Sequence, residues 1–118
     1  MYIEIFQIFM RMETSIINGR LFLNPKLGRE EILKLTGIDK NSLVSLLRKY
    51  AGSANLSDYI NRLRVEYAVK QLKENKLFTI DHIAETSGFN SRSTFYRAFQ
   101  NIYGMTPSQY LEVMKEQP

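Results

Sequence analysis

Apolar positions recur at three- and four-residue spacing along almost the whole chain, and no stretch sustains the strict alternation of a half-buried strand. The pattern predicts an all-α fold of seven helices. The first runs from about Tyr2 to Ile17, with Ile5, Phe6, Phe9 and Met10 as its buried stripe. Residues 18–27 read as a loop, followed by a short helix from Arg29 to Leu35 that ends at Thr36-Gly37. The third begins after Asp39, a good N-cap, buries Leu43, Leu46, Leu47 and Tyr50, and is closed by Gly52. A long helix capped by Asn55 or Ser57 runs to about Glu74, with Tyr59, Ile60, Leu63, Tyr67, Ala68 and Leu72 inward. Thr79 caps a helix over 80–87, Gly88-Phe89 turns the chain, and Asn90 or Ser91 caps a sixth helix whose inner face is Phe95, Ala98, Phe99 and Ile102. Thr106-Pro107-Ser108-Gln109 combines a capping box with proline at the first helical position, opening a last helix to about Lys115.

Part of this pattern occurs twice. Leu43 and Phe95, Leu47 and Phe99, and Gly52 and Gly104 are each 52 positions apart. Gly37 and Gly88, and the tyrosines of Ser57-Asp58-Tyr59-Ile60 and Ser108-Gln109-Tyr110-Leu111, are 51 apart, so the second copy carries one extra residue in its turn. Turn glycine, core residues, closing glycine and Ser-x-Tyr together mark a duplicated helix–turn–helix unit. The expected organisation is a leading helix and loop (1–20), a first unit (21–55), a connecting helix (56–75) and a second unit (76–118).

Charge gives the duplication a direction. The net charge of +4 is a mild bias, but its distribution is informative. No acid lies between Asp39 and Asp58 or between Glu85 and Glu112, and each acid-free window contains one of the repeated helices. On the sixth helix, burying Phe95, Ala98, Phe99 and Ile102 turns Arg92, Ser93, Tyr96, Arg97 and Gln100 outward. A DNA major groove admits one helix, and guanine offers two acceptors that an arginine fork bridges. Arg92, Ser93, Tyr96 and Arg97 are therefore the candidate base contacts of the second unit. Lys40, Asn41, Val44 and Ser45 are those of the first, where Asn41 suits adenine and Val44 a thymine methyl. Arg48, Lys49, Gln100, Ser91 and Thr79 are candidates for phosphate contact. Arg62 and Arg64 on the connecting helix are either phosphate ligands or partners of acids such as Glu66 and Glu85. That helix has roughly eighteen residues, or about 27 Å, against about 34 Å between successive major grooves on one side of B-DNA.

Other classes find little support. The chain has no cysteine and one histidine, His82, so thiolate metal sites and disulfides are absent and a metal cage or hydrolytic triad lacks its members. No phosphate-cradling glycine loop is present, so neither an enzyme nor a cofactor is expected. The apolar start, 1–12, is interrupted by Glu4, Gln7 and Arg11 and is too short to span a bilayer. Two binding alternatives remain: a helical module for a protein partner, and a non-specific nucleic-acid or RNA binder, for which Tyr96 is the main stacking candidate.

Gly88-Phe89-Asn90-Ser91, Phe95, Phe99, Gly104-Met105-Thr106-Pro107 and Tyr110, with Asp58-Tyr59-Ile60-Asn61-Arg62-Leu63-Arg64 and Ala68, resemble the C-terminal DNA-binding domain of AraC/XylS-family bacterial transcriptional regulators. The resemblance covers about 21–111, and the preceding helix resembles a leading helix of some members. It implies two helix–turn–helix units joined by a long helix, binding double-stranded promoter DNA, with reading positions at Lys40, Asn41, Val44, Ser45, Arg92, Ser93, Tyr96 and Arg97. It further implies RNA polymerase as a partner, a cytoplasmic location, and a separate sensor or dimerisation domain in the full-length protein. Ile3, Ile8 and Met12, off the main stripe of the first helix, are either core or a surface for that domain or for a homodimer. The chain departs from the family in its first unit, where Val44-Ser45-Leu46-Leu47 is more apolar than the usual polar-Arg-x-Phe pattern.

Overall fold

A computed structural model describes residues 2–116, with side chains described from Glu4 onward, and the described residues contain helices and turns but no strand. Seven α-helices appear among the described residues: α1 (Tyr2–Glu13), α2 (Arg29–Thr36), α3 (Lys40–Leu46), α4 (Leu56–Glu74), α5 (Ile80–Thr86), α6 (Arg92–Tyr103) and α7 (Pro107–Lys115). Helices α1 and α3 each run on into a wider π-helical turn, Thr14–Asn18 and Leu47–Ala51. The chain divides into two compact units, Met1–Asn61 and Arg62–Pro118, and α4 contributes its first residues to one and the remainder to the other.

The boundaries follow from capping chemistry. The side chains of Asp39, Thr79, Ser91 and Thr106 each accept a hydrogen bond from the backbone N–H three residues on, satisfying a donor that the first turn leaves open. At Asp39 the Ser42 N–H lies 2.7 Å from the carboxylate, and that bond holds the Asp39 pKa below its usual value. Asn55 rather than Ser57 caps α4, its side chain accepting from Asp58 N at 2.9 Å. At Thr106 the box is complete, because the Gln109 side chain accepts in return from Thr106 N at 2.9 Å.

The two closing glycines, Gly52 and Gly104, sit at φ +65° and +72°, the left-handed region that an L side chain disfavours. A Cβ at Gly104 would meet nothing within 4 Å, so only the backbone resists one. Gly104→Ala is therefore expected to lower stability by about 1 kcal/mol, measured as a shifted denaturation midpoint with an unchanged slope.

In the first unit Phe9, Met12, Ile16, Phe22, Ile32, Leu43, Leu46, Leu47, Tyr59 and Ile60 form the core. This corrects the expected face of α1. Phe9 is buried as expected, but Ile5, Phe6 and Met10 are 41–46% exposed, while Met12, expected off the stripe, is 1% exposed. Ile8 is half-buried, and the Ile3 side chain lies outside the described residues. The rotation has a physical anchor: the Tyr59 hydroxyl donates to the Glu13 carboxylate at 3.0 Å, which places Met12 and Ile16 against the core. Burial, then the Glu13 charge, pushes the Tyr59 pKa well above its ordinary value. Phe6 and Phe9 lean on Tyr50, with ring centroids 5.4 and 5.5 Å away.

In the second unit Val65, Ala68, Val69 and Leu72 of α4 meet Ile83 and Ala84 of α5, Phe89 of the turn, and Phe95, Ala98 and Phe99 of α6. Ile102, expected inward, is 41% exposed. Tyr103 takes its place because α7 packs on the last turn of α6 through Tyr110: the Tyr103 ring lies 4.9 Å from Phe99 and 5.3 Å from Tyr110.

Candidate nucleic-acid interface

Helix α6 presents an exposed polar face opposite a closed aromatic core. Ser91 fixes its start, accepting from Thr94 N at 3.2 Å, and Phe95, Ala98 and Phe99 hold its inner side. Arg92, Ser93, Arg97 and Gln100 are exposed on the other side, and Tyr96 is half-buried, its ring edge-on to Phe95. All five expected outward residues thus share one face, and no acidic residue lies on that helix.

The two arginines of that face are held differently. Arg92 Nε lies 3.4 Å from Asp81 Oδ1 at the start of α5, Arg92 Nη2 donates to the Tyr96 hydroxyl at 3.1 Å, and the guanidinium centre sits 4.9 Å from the Tyr96 ring centroid. The Tyr96 hydrogen bond, followed by the Asp81 charge, raises the Arg92 pKa further above its already high value. Arg97 is exposed and, among the described residues, has no ion-pair partner. Asp81 is the residue sequence reasoning missed. It lies eleven positions before Arg92 on a different helix, and only the helix–turn–helix bend brings the two helix starts together.

The equivalent face of α3 is poorer. Lys40, Asn41 and Ser45 are exposed, and Val44 is half-buried. Asn41, Ser45 and Lys49 also border a groove of about 360 Å³ whose far side is formed by Ile5 and Ile8, so the start of α1 flanks this surface. Arg48 is committed in part to the fold, its Nε donating to the Ala54 carbonyl at 3.2 Å. Lys49 lies over the Tyr50 ring, 5.4 Å from its centroid. The Ser91 and Thr79 side chains serve as caps, Thr79 accepting from His82 N at 3.1 Å. Of the two connecting-helix arginines, Arg62 is exposed, whereas Arg64 is 7% exposed with its pKa lowered by burial.

Among the described residues no three His, Asp or Glu side chains gather to hold a metal ion, and no helix is long and apolar enough to cross a membrane.

Comparison with known proteins agrees with this architecture. Residues 32–112 match a family model described as a helix-turn-helix domain, of the AraC type. The chain is 34% identical over 105 residues to the HTH-type transcriptional activator AarP of Providencia stuartii, a match covering 85% of this chain and 76% of that protein. It is 28% identical over 88 residues to the probable transcriptional regulator LumQ of Photobacterium leiognathi, covering 75% of this chain. It is 36% identical over 74 residues to the HTH-type transcriptional regulator AdiY of Escherichia coli, covering 61%. These two matches span only 35% and 29% of the relatives' own lengths. A solved structure of a protein of unknown function from Listeria innocua superposes with a TM-score of 0.68 at 29% identity, over 80% of this chain and 88% of that one. With two capped helix–turn–helix units and this match over most of its length, the chain belongs to the AraC/XylS family of helix-turn-helix transcriptional regulators.

Proposed function

We propose that this chain reads specific sequences in double-stranded promoter DNA by inserting α6 and α3 into successive major grooves. The observation that carries the reading is the α6 face, where Arg92, Ser93, Tyr96, Arg97 and Gln100 stand together over a closed aromatic core. Arginine in the first two turns of such a helix is positioned as base-reading side chains are in helix–turn–helix proteins. Arg97 is the principal reader, with Arg92, Ser93 and Tyr96 beside it. The first unit, with Lys40, Asn41, Val44 and Ser45, reads less and positions more, and Arg48, Lys49 and Gln100 take phosphates. In the whole protein the DNA-bound chain works in the cytoplasm with RNA polymerase, under a sensor or dimerisation domain, either as a monomer or as a homodimer.

Selection of bound duplexes from a random pool, with affinities of the winners at two salt concentrations, tests this. Two boxes about one helical turn apart are expected, with affinity falling as salt rises. A single box would remove base reading from the first unit. No enrichment over random DNA would overturn the reading and favour a protein partner for the same faces.

A further inference from the structure

We propose that Asp81 is a specificity-determining residue: together with Tyr96 it orients the Arg92 guanidinium so that its outer edge meets a guanine. The inference rests on the reading of α6 given above and assigns a role to a residue of the neighbouring helix.

Three contacts grip one side chain. Asp81 takes the Nε side at 3.4 Å, the Tyr96 hydroxyl accepts from Nη2 at 3.1 Å, and the Tyr96 ring supports the guanidinium at 4.9 Å. Nε–H and one N–H of Nη2 form the lateral edge of the fork, and the Asp81 carboxylate lies on the Nε side of it. The end-on pair of N–H groups, one on each Nη, is the pair whose spacing matches guanine O6 and N7. A long arginine side chain ordinarily loses rotamer freedom when it engages a base. Held in advance on two helices, Arg92 loses less of it and approaches in one orientation. The Asp81–Arg92 pair is itself exposed, at 64% and 63%, and such pairs contribute little to stability. Its consequence is therefore orientation.

Asp81 has a second effect of opposite sign on random DNA. It puts a carboxylate beside a face that carries no acid of its own from 86 to 111. A phosphate approaching Arg92 meets that carboxylate, and a guanine edge accepts the hydrogen bonds without adding an anion. The acid thus penalises backbone-only binding while favouring the base, which is how specificity is gained from repulsion as well as attraction.

The test compares wild-type protein with Asp81→Asn, Asp81→Glu, Tyr96→Phe and Arg92→Ala on the duplex recovered by selection, on single-base variants of it, and on random DNA. Arg92→Ala identifies the base pair that Arg92 reads. Asp81→Asn is expected to lower discrimination at that same base pair by about three- to tenfold, a part of what one bidentate arginine–guanine pair supplies, and to raise affinity for random DNA. Tyr96→Phe should lose a smaller part, Asp81→Glu should recover most of it, and in the Arg92→Ala background Asp81→Asn should lower discrimination at that base pair no further. Thermal unfolding of each variant by circular dichroism separates these effects from loss of fold. Discrimination left intact in Asp81→Asn, with affinity changed equally on all duplexes, overturns the proposal and leaves Asp81 as bulk charge. Arg92→Ala without a base-specific effect also overturns it, while the reading through Arg97 stands. Failure of the wild-type chain to enrich any motif is a different result, and sinks the DNA-reading function itself.

Discussion

Phe95→Ala is expected to destabilise the second unit by about 3–5 kcal/mol, the range for truncating a buried aromatic where the surroundings cannot collapse. Phe95 is fully buried, and its ring centroid lies 5.1 Å from Phe89, 5.7 Å from Phe99 and 5.9 Å from Tyr96. These neighbours come from the turn before α6 and from α6 itself, with Val65, Ala68 and Leu72 of α4 in the same cluster. The turn geometry and the helix fix their positions, so little of the vacated volume can be refilled. Since a whole small domain is stable by about 5–15 kcal/mol, this one substitution removes a large share of the margin. Urea denaturation followed by far-ultraviolet circular dichroism reads the effect. Ile102→Ala, in the same helix but 41% exposed, serves as the control and should stay within about 0.5 kcal/mol. Equal losses for the two would mean that the buried face of α6 is not the one described. DNA binding should fall with the folded fraction in Phe95→Ala, and ligand-free stability and affinity must therefore be measured together.

Much of this was legible because caps and left-handed glycines act locally. Asp39, Thr79, Ser91 and Thr106 each form a bond with an amide three residues away, so no tertiary context is needed to read them. The face of α6 was legible for a related reason: polar and apolar residues divide cleanly, and only one rotation buries Phe95, Ala98 and Phe99 together. Helix α1 offers no such division. It carries apolar residues on nearly every side, and its rotation is set by Tyr59 and Glu13, 46 residues apart. Ile102 failed for the same cause, since α7 decides which side of the final α6 turn is covered. For Arg64 the choice between phosphate contact and an acid partner stayed open in the sequence, because charge type alone does not report burial on a helix. Asp81 was invisible for want of any spacing rule linking it to Arg92. In each miss, the deciding partner lies in a different element.

Arg97→Ala is expected to weaken binding to the selected duplex by about 1–3 kcal/mol and to relax preference at one base pair. Arg97 stands in the second turn of α6, exposed, with its Cβ side set by the buried Ala98 and Phe99 beside it. Arg92 is tied to Asp81 and Tyr96, whereas Arg97 is exposed with no ion-pair partner among the described residues, so its whole fork is open to a base. Random DNA should lose less, because there Arg97 supplies only one phosphate-range charge. Arg97→Lys separates the two roles. Lysine keeps the charge and hence the salt dependence, but lacks the planar fork that bridges two guanine acceptors. It should therefore bind random DNA as wild type does and lose most of the discrimination at that base pair. Equal losses on selected and random duplexes for Arg97→Ala, with Arg97→Lys restoring both, would reduce Arg97 to a backbone contact and leave base reading on this helix to Arg92.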